Sequence, residues 1–255
     1  MIGKVVLIGA GNVATYMGNV LQSNGVHIEF VYSQSLESAK RLGVQLGTAY
    51  SENLKDLPAE ADLYMIAVSD DAIKELVSRL DVGGLVAHTS GTLDIDVISN
   101  FPEAGVFYPL QSFSRINPLQ NKEFPICVEA TRSDNLHSLK ELAAKLVGVG
   151  SVYELNTIQR KAVHLAAVFA SNYSNHMYQI AEELLKREDL NFDILRPLIV
   201  ETAEKVKRMN PKEAQTGPAK RGDVKVMQEH MRELEPDPDY KALYTLISNS
   251  IIKRK

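Results

Sequence analysis

The stretch Lys4-Val5-Val6-Leu7-Ile8-Gly9-Ala10-Gly11-Asn12-Val13-Ala14 decides the fold. It joins a short apolar run, typical of a buried strand, to a helical pattern through the spacing G-x-G-x-x-A. In such a turn the first glycine permits a tight bend, the second lets the backbone approach a pyrophosphate, and the small third residue lets the helix pack closely. The helix N-terminus then offers free amides to the phosphates. We predict that Gly9, Gly11, Asn12 and Val13 bind a dinucleotide; a glycine-rich turn without a ligand is the alternative.

Outward from this turn, short apolar runs alternate with helical segments as far as residue 155. This alternation indicates a mainly parallel sheet with helices on both faces. The sequence therefore predicts an α/β fold that begins with a Rossmann domain, a doubly wound and mainly parallel sheet. The predicted strands are 5–8, 28–32, 44–49, 63–68, 85–88, 106–110, 126–129 and 149–155, and the predicted helices are 12–22, 36–42, 70–80 and 136–146.

The pattern changes after about residue 156, where strand signals stop. Apolar residues at helical spacing over 158–184 predict one helix of about 30 residues, about 45 Å long at 1.5 Å per residue. Further helices are predicted near 192–209, 224–234 and 240–252. We place the domain boundary near residue 152, with an NAD(P)-binding Rossmann domain at 1–152 and an all-α substrate and dimerisation domain at 153–255. Because so long a helix needs a surface to cover it, we expect a homodimer through the helical domain.

The bulk composition excludes several classes of protein. The 255 residues carry a formal net charge of −4, so the chain lacks the basic footprint of nucleic-acid binding. Its single cysteine, Cys127, lies in an apolar run and is expected to be a buried small hydrophobe rather than a reactive thiol. Without a disulfide framework, a signal-peptide pattern or an apolar stretch of about 20 residues, we expect a cytoplasmic chain not bound to a membrane. No histidines stand at metal-ligand spacing, so no metal is expected.

The end of the second predicted strand bears on the choice of cofactor. NAD sites usually carry an acidic residue there, which holds the ribose 2′-hydroxyl. This chain has Ser33-Gln34-Ser35 instead, with Lys40 and Arg41 a short way on. Hydroxyl and amide groups accept a 2′-phosphate without like-charge repulsion, so NADP is favoured over NAD. The nearby Glu37 keeps NAD open as the alternative.

The loop after the fourth predicted strand is expected to lie over the cofactor. It reads Ala67-Val68-Ser69-Asp70, and its small residues permit close approach. Val68 and Ser69 are therefore predicted to contact the dinucleotide. Asp70 is predicted to cap the following helix rather than to act chemically.

Six segments carry a resemblance to a known family: 9–14, 66–73, 88–91, 108–113, 163–172 and 216–223. The chain resembles the Rossmann-like proteins paired with a helical DUF2520 domain, and the resemblance spans nearly its whole length. It implies an NADP oxidoreductase of unassigned substrate, with a C-terminal domain like that of 6-phosphogluconate dehydrogenase. The layout is more distantly similar to pyrroline-5-carboxylate reductase, F420-dependent NADP reductase and the β-hydroxyacid dehydrogenases. The chain departs from the family in having Tyr108 where histidine is usual and Gln34 where arginine is frequent.

Candidate catalytic residues follow the fifth predicted strand, which ends at His88-Thr89-Ser90-Gly91. This is the carboxyl edge of the sheet, where ligands bind in open α/β folds. Ser90 and the adjacent amides could hold a carboxylate or carbonyl oxygen. His88 could donate a hydrogen bond to the substrate; a satisfied histidine at a strand end is the alternative.

The long predicted helix adds a polar stripe. Steps of three or four residues place its members broadly along one side of the helix: Lys161, His164, Val168, Asn172 and His176. We predict that His164 donates a proton and that Asn172 orients the substrate. The alternative is that Lys161 and His176 are solvated and that His164 bonds to another helix. By analogy alone, Lys161 matches the acid of the β-hydroxyacid dehydrogenases.

A polar loop in the helical domain completes the candidate site. Thr216 and Arg221 are predicted to bind substrate, since arginine can hold a carboxylate through two parallel bonds. Asp223 is expected to cap the next helix. Together these residues predict an NADP-dependent oxidoreductase that transfers hydride to or from a small keto, imino or hydroxy acid bound between the two domains. The alternatives are a non-catalytic NAD(P)-binding sensor or regulatory protein and a deazaflavin-dependent reductase.

Overall fold

The computed structural model describes residues 1–114 and 123–254, and the chain divides into two compact units, Met1–Asn172 and Tyr173–Lys255. The predicted boundary near residue 152 stays a prediction. It marks the point where strands give way to helices, whereas the first compact unit also includes the helix that follows.

The first unit contains strands and helices in alternation. The strands are β1 Lys4–Ile8, β2 His27–Tyr32, β3 Ala49–Ser51, β4 Glu60–Ile66, β5 Gly83–His88, β6 Ala104–Pro109, β7 Ile126–Ala130 and β8 Val152–Glu154. The helices are α1 Asn12–Ser23, α2 Leu36–Leu46, α3 Asp70–Val77, α4 Ser133–Val147 and α5 Thr157–Ala167. A π-helical segment, Val168–Tyr173, follows α5, and its last residue is the first of the second unit. The second unit contains α6 Ser174–Lys186, α7 Arg196–Arg208, α8 Pro211–Ala214, α9 Pro218–Arg221, α10 Val224–Glu233 and α11 Pro238–Lys253.

The eight strands form one sheet in the order β3-β2-β1-β4-β5-β6-β7-β8. Every neighbouring pair is parallel except β6 and β7. The chain order reverses between β1 and β4, and open α/β sheets bind ligands at the carboxyl ends of the strands beside such a switch point. The predicted α/β class, with a doubly wound and mainly parallel sheet followed by helices, is confirmed.

Strand β1 lies at the centre of the hydrophobic core. Successive side chains of a strand point to opposite faces of the sheet. Leu7 therefore belongs to the cluster formed with α1, α2 and α4, whereas Ile8 belongs to the cluster formed with α3. Both side chains are fully buried, which stabilises the fold by about 1.5–3 kcal/mol each. The turn after β1 is thus held from both faces.

One predicted strand was wrong. Residues 44–46 of the predicted strand 44–49 belong to α2, which buries Leu42 and Leu46 one helical turn apart. The helix ends at Gly47, whose φ of 65° is a left-handed conformation that glycine adopts at little cost. The strand β3 begins only at Ala49. Short β-branched residues such as Val44 fit either structure, so the local sequence did not separate the two.

The predicted helix over 158–184 was right in extent but not uniform in type. A π-helical segment, Val168–Tyr173, follows α5 and precedes α6. Bonds from residue i to i+5 widen the turn, and such segments are frequent at functional sites. The predicted polar stripe assumed regular α-helical spacing, and the π-helical segment breaks that spacing between Val168 and Tyr173.

The second unit buries few of its own apolar side chains. Among its described residues, the buried hydrophobic ones are Ala219, Met227 and Leu234. Large apolar side chains are exposed on α7 and α11, including Leu198 at 61% and Leu246 at 69%. Within the described part of the chain, no helix combines the length and apolar character needed to cross a bilayer.

A buried ion pair fixes the start of α5 in the first unit. Arg160 is fully buried and donates to the backbone oxygens of Ser90, at 2.9 Å, and Leu93, at 2.7 Å. Its other terminal nitrogen lies 3.1 Å from both a carboxylate oxygen of Glu129 and the hydroxyl of Thr157. The arginine thus joins α5 to β7 and to the loop after β5. Sequence reasoning did not single it out.

We expect Glu129→Gln to lower the free energy of unfolding by about 3 kcal/mol, because it leaves the buried Arg160 guanidinium without a counter-charge. The matched control is Glu154→Gln, which breaks an exposed ion pair with Lys140 and is expected to cost less than about 1 kcal/mol. Urea unfolding of both variants measures the difference. Equal losses would contradict a structural role for the buried pair.

Candidate functional site

A cavity of about 470 Å³ lies at the carboxyl ends of β1, β2 and β4. Eight of the nine residues predicted to bind the cofactor line it: Gly9, Gly11, Asn12, Val13, Ser33, Gln34, Val68 and Ser69. The ninth, Ser35, is not among its lining residues. The Ser35 hydroxyl instead accepts a hydrogen bond from the Ser38 amide at 3.3 Å and caps α2.

Gly9 sits where three strands meet. Its φ of 122° is a conformation that favours glycine, and its amide donates to the Tyr32 carbonyl at 2.7 Å. A Cβ placed on Gly9 would lie 2.2 Å from the carbonyl oxygen of Ala67. Only glycine fits this approach between the ends of β1 and β4.

Gly11 has a different reason for being glycine. Its φ of −78° is open to any residue, and a Cβ there would meet nothing within 4 Å. The space beside the N-terminus of α1 is therefore open. Among the described residues, no side chain caps that terminus and no acidic residue lies in the first turn of the helix. Free amides facing open space fit a pyrophosphate.

The end of β2 contributes polar and basic groups to the same cavity. Ser33, Gln34, Ser38 and Arg41 line it, and the Arg41 guanidinium donates to the Ala10 carbonyl at 3.3 Å. This side of the cavity offers hydroxyl, amide and guanidinium donors and, among the described lining residues, no carboxylate. Such a donor set fits a phosphate on the ribose.

The prediction that Asp70 caps a helix was wrong. Ser69 occupies the N-cap of α3, and Asp70 is the first helical residue. Its carboxylate accepts a hydrogen bond from the Thr92 hydroxyl. The corresponding prediction for Asp223 is confirmed, because its side chain accepts from the Val226 amide at 3.3 Å and caps α10.

A second cavity, of about 390 Å³, adjoins the first within the same unit. Val13 and Thr89 line both cavities. Besides Thr89, the polar side chains around the second cavity come from the end of β6 and the loop after it, from α5 and from the π-helical segment: Tyr108, Gln111, Ser112, His164, Ser171 and Asn172. Asn12, which lines the first cavity, donates its side-chain amide to the carbonyl of Phe113, the residue after Ser112 of the second cavity, at 3.1 Å.

Tyr108 and His164 form a pair in the second cavity. The Tyr108 hydroxyl lies 3.0 Å from Nδ1 of His164. Burial is the main cause that raises the pKa of Tyr108 to about 12; the Cys127 thiol adds to the rise and the Arg160 charge opposes it. Sequence reasoning missed Tyr108, having noted it only as a departure from the family. Its place at the carboxyl end of β6 was the available signal.

His88 and Ser90 do not line either cavity among the described residues. His88 is fully buried, and its Nδ1 accepts from the Ser90 amide at 3.2 Å. Burial, aided by the Arg160 charge, lowers the pKa of His88 to about 4, so the ring is neutral at physiological pH. The Ser90 hydroxyl accepts from the Thr92 amide at 3.1 Å and the Leu93 amide at 3.0 Å. Both side chains shape the loop after β5.

Of the residues predicted on the long helix, His164 and Asn172 line the second cavity. Lys161 does not; it is exposed and lies 3.7 Å from the Asp94 carboxylate. His176 is an exposed residue of the second unit.

Thr216 and Arg221 belong to the second unit. Thr216 lines an apolar cavity of about 280 Å³ there, formed chiefly by α6, α9 and α11. Arg221 is exposed at the end of α9. Among the described residues, no cluster of three or more histidine, cysteine, aspartate or glutamate side chains could hold a metal ion.

Comparisons with known proteins match this architecture. A Rossmann-like domain model matches residues 2–112, and the model of a domain of unknown function, DUF2520, matches residues 124–251. No curated protein matches the chain.

Among solved structures, a Bacteroides fragilis protein provisionally assigned as an NADP oxidoreductase is 41% identical, covers 99% of this chain and 98% of its own, and has a TM-score of 0.91. A Thermotoga maritima protein is 23% identical, with coverages of 98% and 97% and a TM-score of 0.74. A 1-pyrroline-5-carboxylate reductase of Streptococcus pyogenes is 12% identical, with coverages of 98% and 98% and a TM-score of 0.67. The last two likenesses show the fold alone. The chain belongs to the DUF2520 family, in which that domain here follows a Rossmann-like domain.

Proposed function

We propose that the chain is an NADP-dependent oxidoreductase that transfers hydride to or from a small keto, imino or hydroxy acid. One observation carries the proposal: a cavity suited to a dinucleotide adjoins a second, polar cavity through Val13 and Thr89. When bound, a nicotinamide supplies or accepts the hydride, and the protein has to position the substrate and manage its proton. The 41% identity to the Bacteroides fragilis oxidoreductase supports this class of activity.

The preference for NADP rests on the side of the first cavity formed by the end of β2. Arg41, Ser33 and Gln34 offer donors to a 2′-phosphate, whereas a carboxylate there would repel it. The substrate then occupies the second cavity. Asn172 orients it through its amide, and the Tyr108–His164 pair lies beside it as the group able to exchange a proton.

The direct test is to titrate the protein with NADPH by fluorescence and then to screen NADPH oxidation with small ketones, 2-oxo acids and cyclic imines. Binding of NADPH followed by oxidation with a member of the panel supports the proposal. Absence of binding contradicts it. Tight binding without turnover across the panel favours a non-catalytic sensor instead.

We expect Gly11→Val to weaken NADPH binding by at least about tenfold, because its side chain fills the space that the pyrophosphate needs. The variant is expected to unfold within a few degrees of the wild type, since a Cβ at this position contacts nothing and the cost of valine at the N-cap of α1 is small. Fluorescence titration measures the affinity for NADPH, and thermal unfolding measures the stability of the variant. Unchanged affinity would place the pyrophosphate elsewhere.

Arg41→Ala tests the choice of cofactor. We expect it to weaken NADPH binding by about tenfold or more, because one charge-assisted hydrogen bond to the 2′-phosphate is lost. NADH lacks that phosphate, so its affinity is expected to change by less than about twofold. Lys40→Ala is the matched control, because this exposed neighbour does not line the cavity. Equal losses for both cofactors would remove the argument for a 2′-phosphate site.

We also propose that the chain forms a homodimer through its helical unit. The unit leaves Ile194, Leu198 and Leu246 more than 60% exposed, and large apolar surfaces usually mark sites of association. Analytical ultracentrifugation is expected to give twice the 28.2 kDa mass of one chain. Leu198→Glu is expected to weaken the association at least about tenfold, because it buries a charge in an apolar interface. The control is Leu36→Glu, at an exposed leucine of the first unit. A wild-type monomer at micromolar concentration would contradict this proposal.

A further inference from the structure

The second cavity contains few groups that can exchange a proton. Among its described lining residues, the titratable side chains are those of Tyr108 and His164. The other residues considered from the sequence have different partners: Lys161 faces Asp94, and the Ser90 hydroxyl accepts from two backbone amides. The candidate proton donors are therefore the two members of one hydrogen-bonded pair, Tyr108 and His164.

We propose that Tyr108, rather than His164, delivers the proton to the substrate, and that His164 acts through Tyr108 by returning a proton to its oxygen. This inference rests on the proposed oxidoreductase function. It assigns Tyr108 as the catalytic residue and His164 as the residue that positions and recharges it.

The position of Tyr108 supports the assignment. It is the penultimate residue of β6, at the carboxyl edge of the sheet, and it lines the same cavity as Val13 and Thr89. Those two residues also line the dinucleotide cavity. Tyr108 therefore lines the cavity that shares Val13 and Thr89 with the cofactor site.

The backbone at Gly91 holds the pair in place. A Cβ on Gly91 would lie 2.6 Å from Nδ1 of His164 and 2.8 Å from Cζ of Tyr108. Both rings therefore pack against bare backbone, close to the atoms that exchange the proton. Such packing restricts the rings to the geometry in which the two atoms are 3.0 Å apart, which is the pre-organisation that proton transfer requires.

The proton balance assigns different roles to the two side chains. Because burial raises the pKa of Tyr108 to about 12, the hydroxyl stays protonated at neutral pH and is ready to donate. In reduction, the substrate carbon gains the hydride supplied by a reduced nicotinamide dinucleotide, and its C=O or C=N π bond breaks. The oxygen or nitrogen takes the Tyr108 proton, so the Tyr108 O–H bond breaks. His164 then passes its Nδ1 proton to the phenolate while its Nε2 takes a proton from solvent. Loss of the Nε2 proton to solvent and gain of one at Nδ1 return the ring to its starting tautomer.

Three variants test the assignment, each assayed with NADPH and the panel compound that the wild type reduces fastest. We expect Tyr108→Phe to lower kcat at least about 100-fold, the effect of losing a general acid, with KM and NADPH affinity within about twofold. His164→Asn is expected to lower kcat less, by about tenfold. The double variant is expected to lose no more than Tyr108→Phe alone, because His164 acts only through the Tyr108 oxygen.

Tyr153→Phe is the matched control, because it removes the hydroxyl of a half-exposed tyrosine that lines neither cavity. It is expected to leave kcat unchanged, and thermal unfolding checks that all variants fold. A wild-type kcat in Tyr108→Phe would overturn the assignment while leaving the proposed function intact. Losses that multiply in the double variant would overturn the role of His164 through Tyr108. A wild type that fails to bind NADPH or to reduce any panel compound would overturn the proposed function, and this inference with it.

Discussion

The close approach of two backbones at the end of β1 is the constraint on which the first unit depends. The Gly9 amide bonds to the end of β2, and the Ala67 amide after β4 bonds to the Ile8 carbonyl at 2.7 Å. A side chain on Gly9 would force these strand ends apart, because its Cβ would overlap the Ala67 carbonyl oxygen. Since β1 also packs against helices on both faces, the turn cannot relax in either direction. The dinucleotide cavity is the space that this fixed turn leaves open.

A second close approach, at Gly91, sets the geometry of the polar pair. Here the glycine does not need an unusual φ; it is required because two rings lie where a Cβ would project. The buried Arg160 stabilises the same loop by donating hydrogen bonds to the backbone oxygens of Ser90 and Leu93. Polar groups that shape the loop, such as His88, are thus separate from the groups that face the cavity. Residues of the loop after β5 therefore have structural roles, whereas the candidate chemical groups, Tyr108 and His164, come from β6 and α5.

The two units differ in how they gain stability. The first buries a sheet between two layers of helices, with many side chains wholly removed from water. In the second, helices α6, α7 and α11 have no fully buried residue in the described part of the chain. Because burial of apolar surface is the main favourable term in folding, an 83-residue helical unit of this kind gains little from its own core. In the homodimer that we propose, burial of these exposed apolar side chains would add to the stability of the unit.

The sequence by itself determined the α/β class, the glycine turn and eight of the residues that line the dinucleotide cavity. These features depend on the spacing of apolar residues, the residue types of the turn and the ends of the strands, all of which are local in sequence. It misplaced the third strand, where Val44 suits a helix or a strand, and it could not foresee the π-helical segment after α5. Only the tertiary structure decided which polar residues meet. Tyr108 and His164 are 56 positions apart, and Arg160 reaches the Ser90 carbonyl across 70. Such contacts depend on how the end of a strand packs against a helix that is distant in sequence. No local sequence pattern specifies that packing.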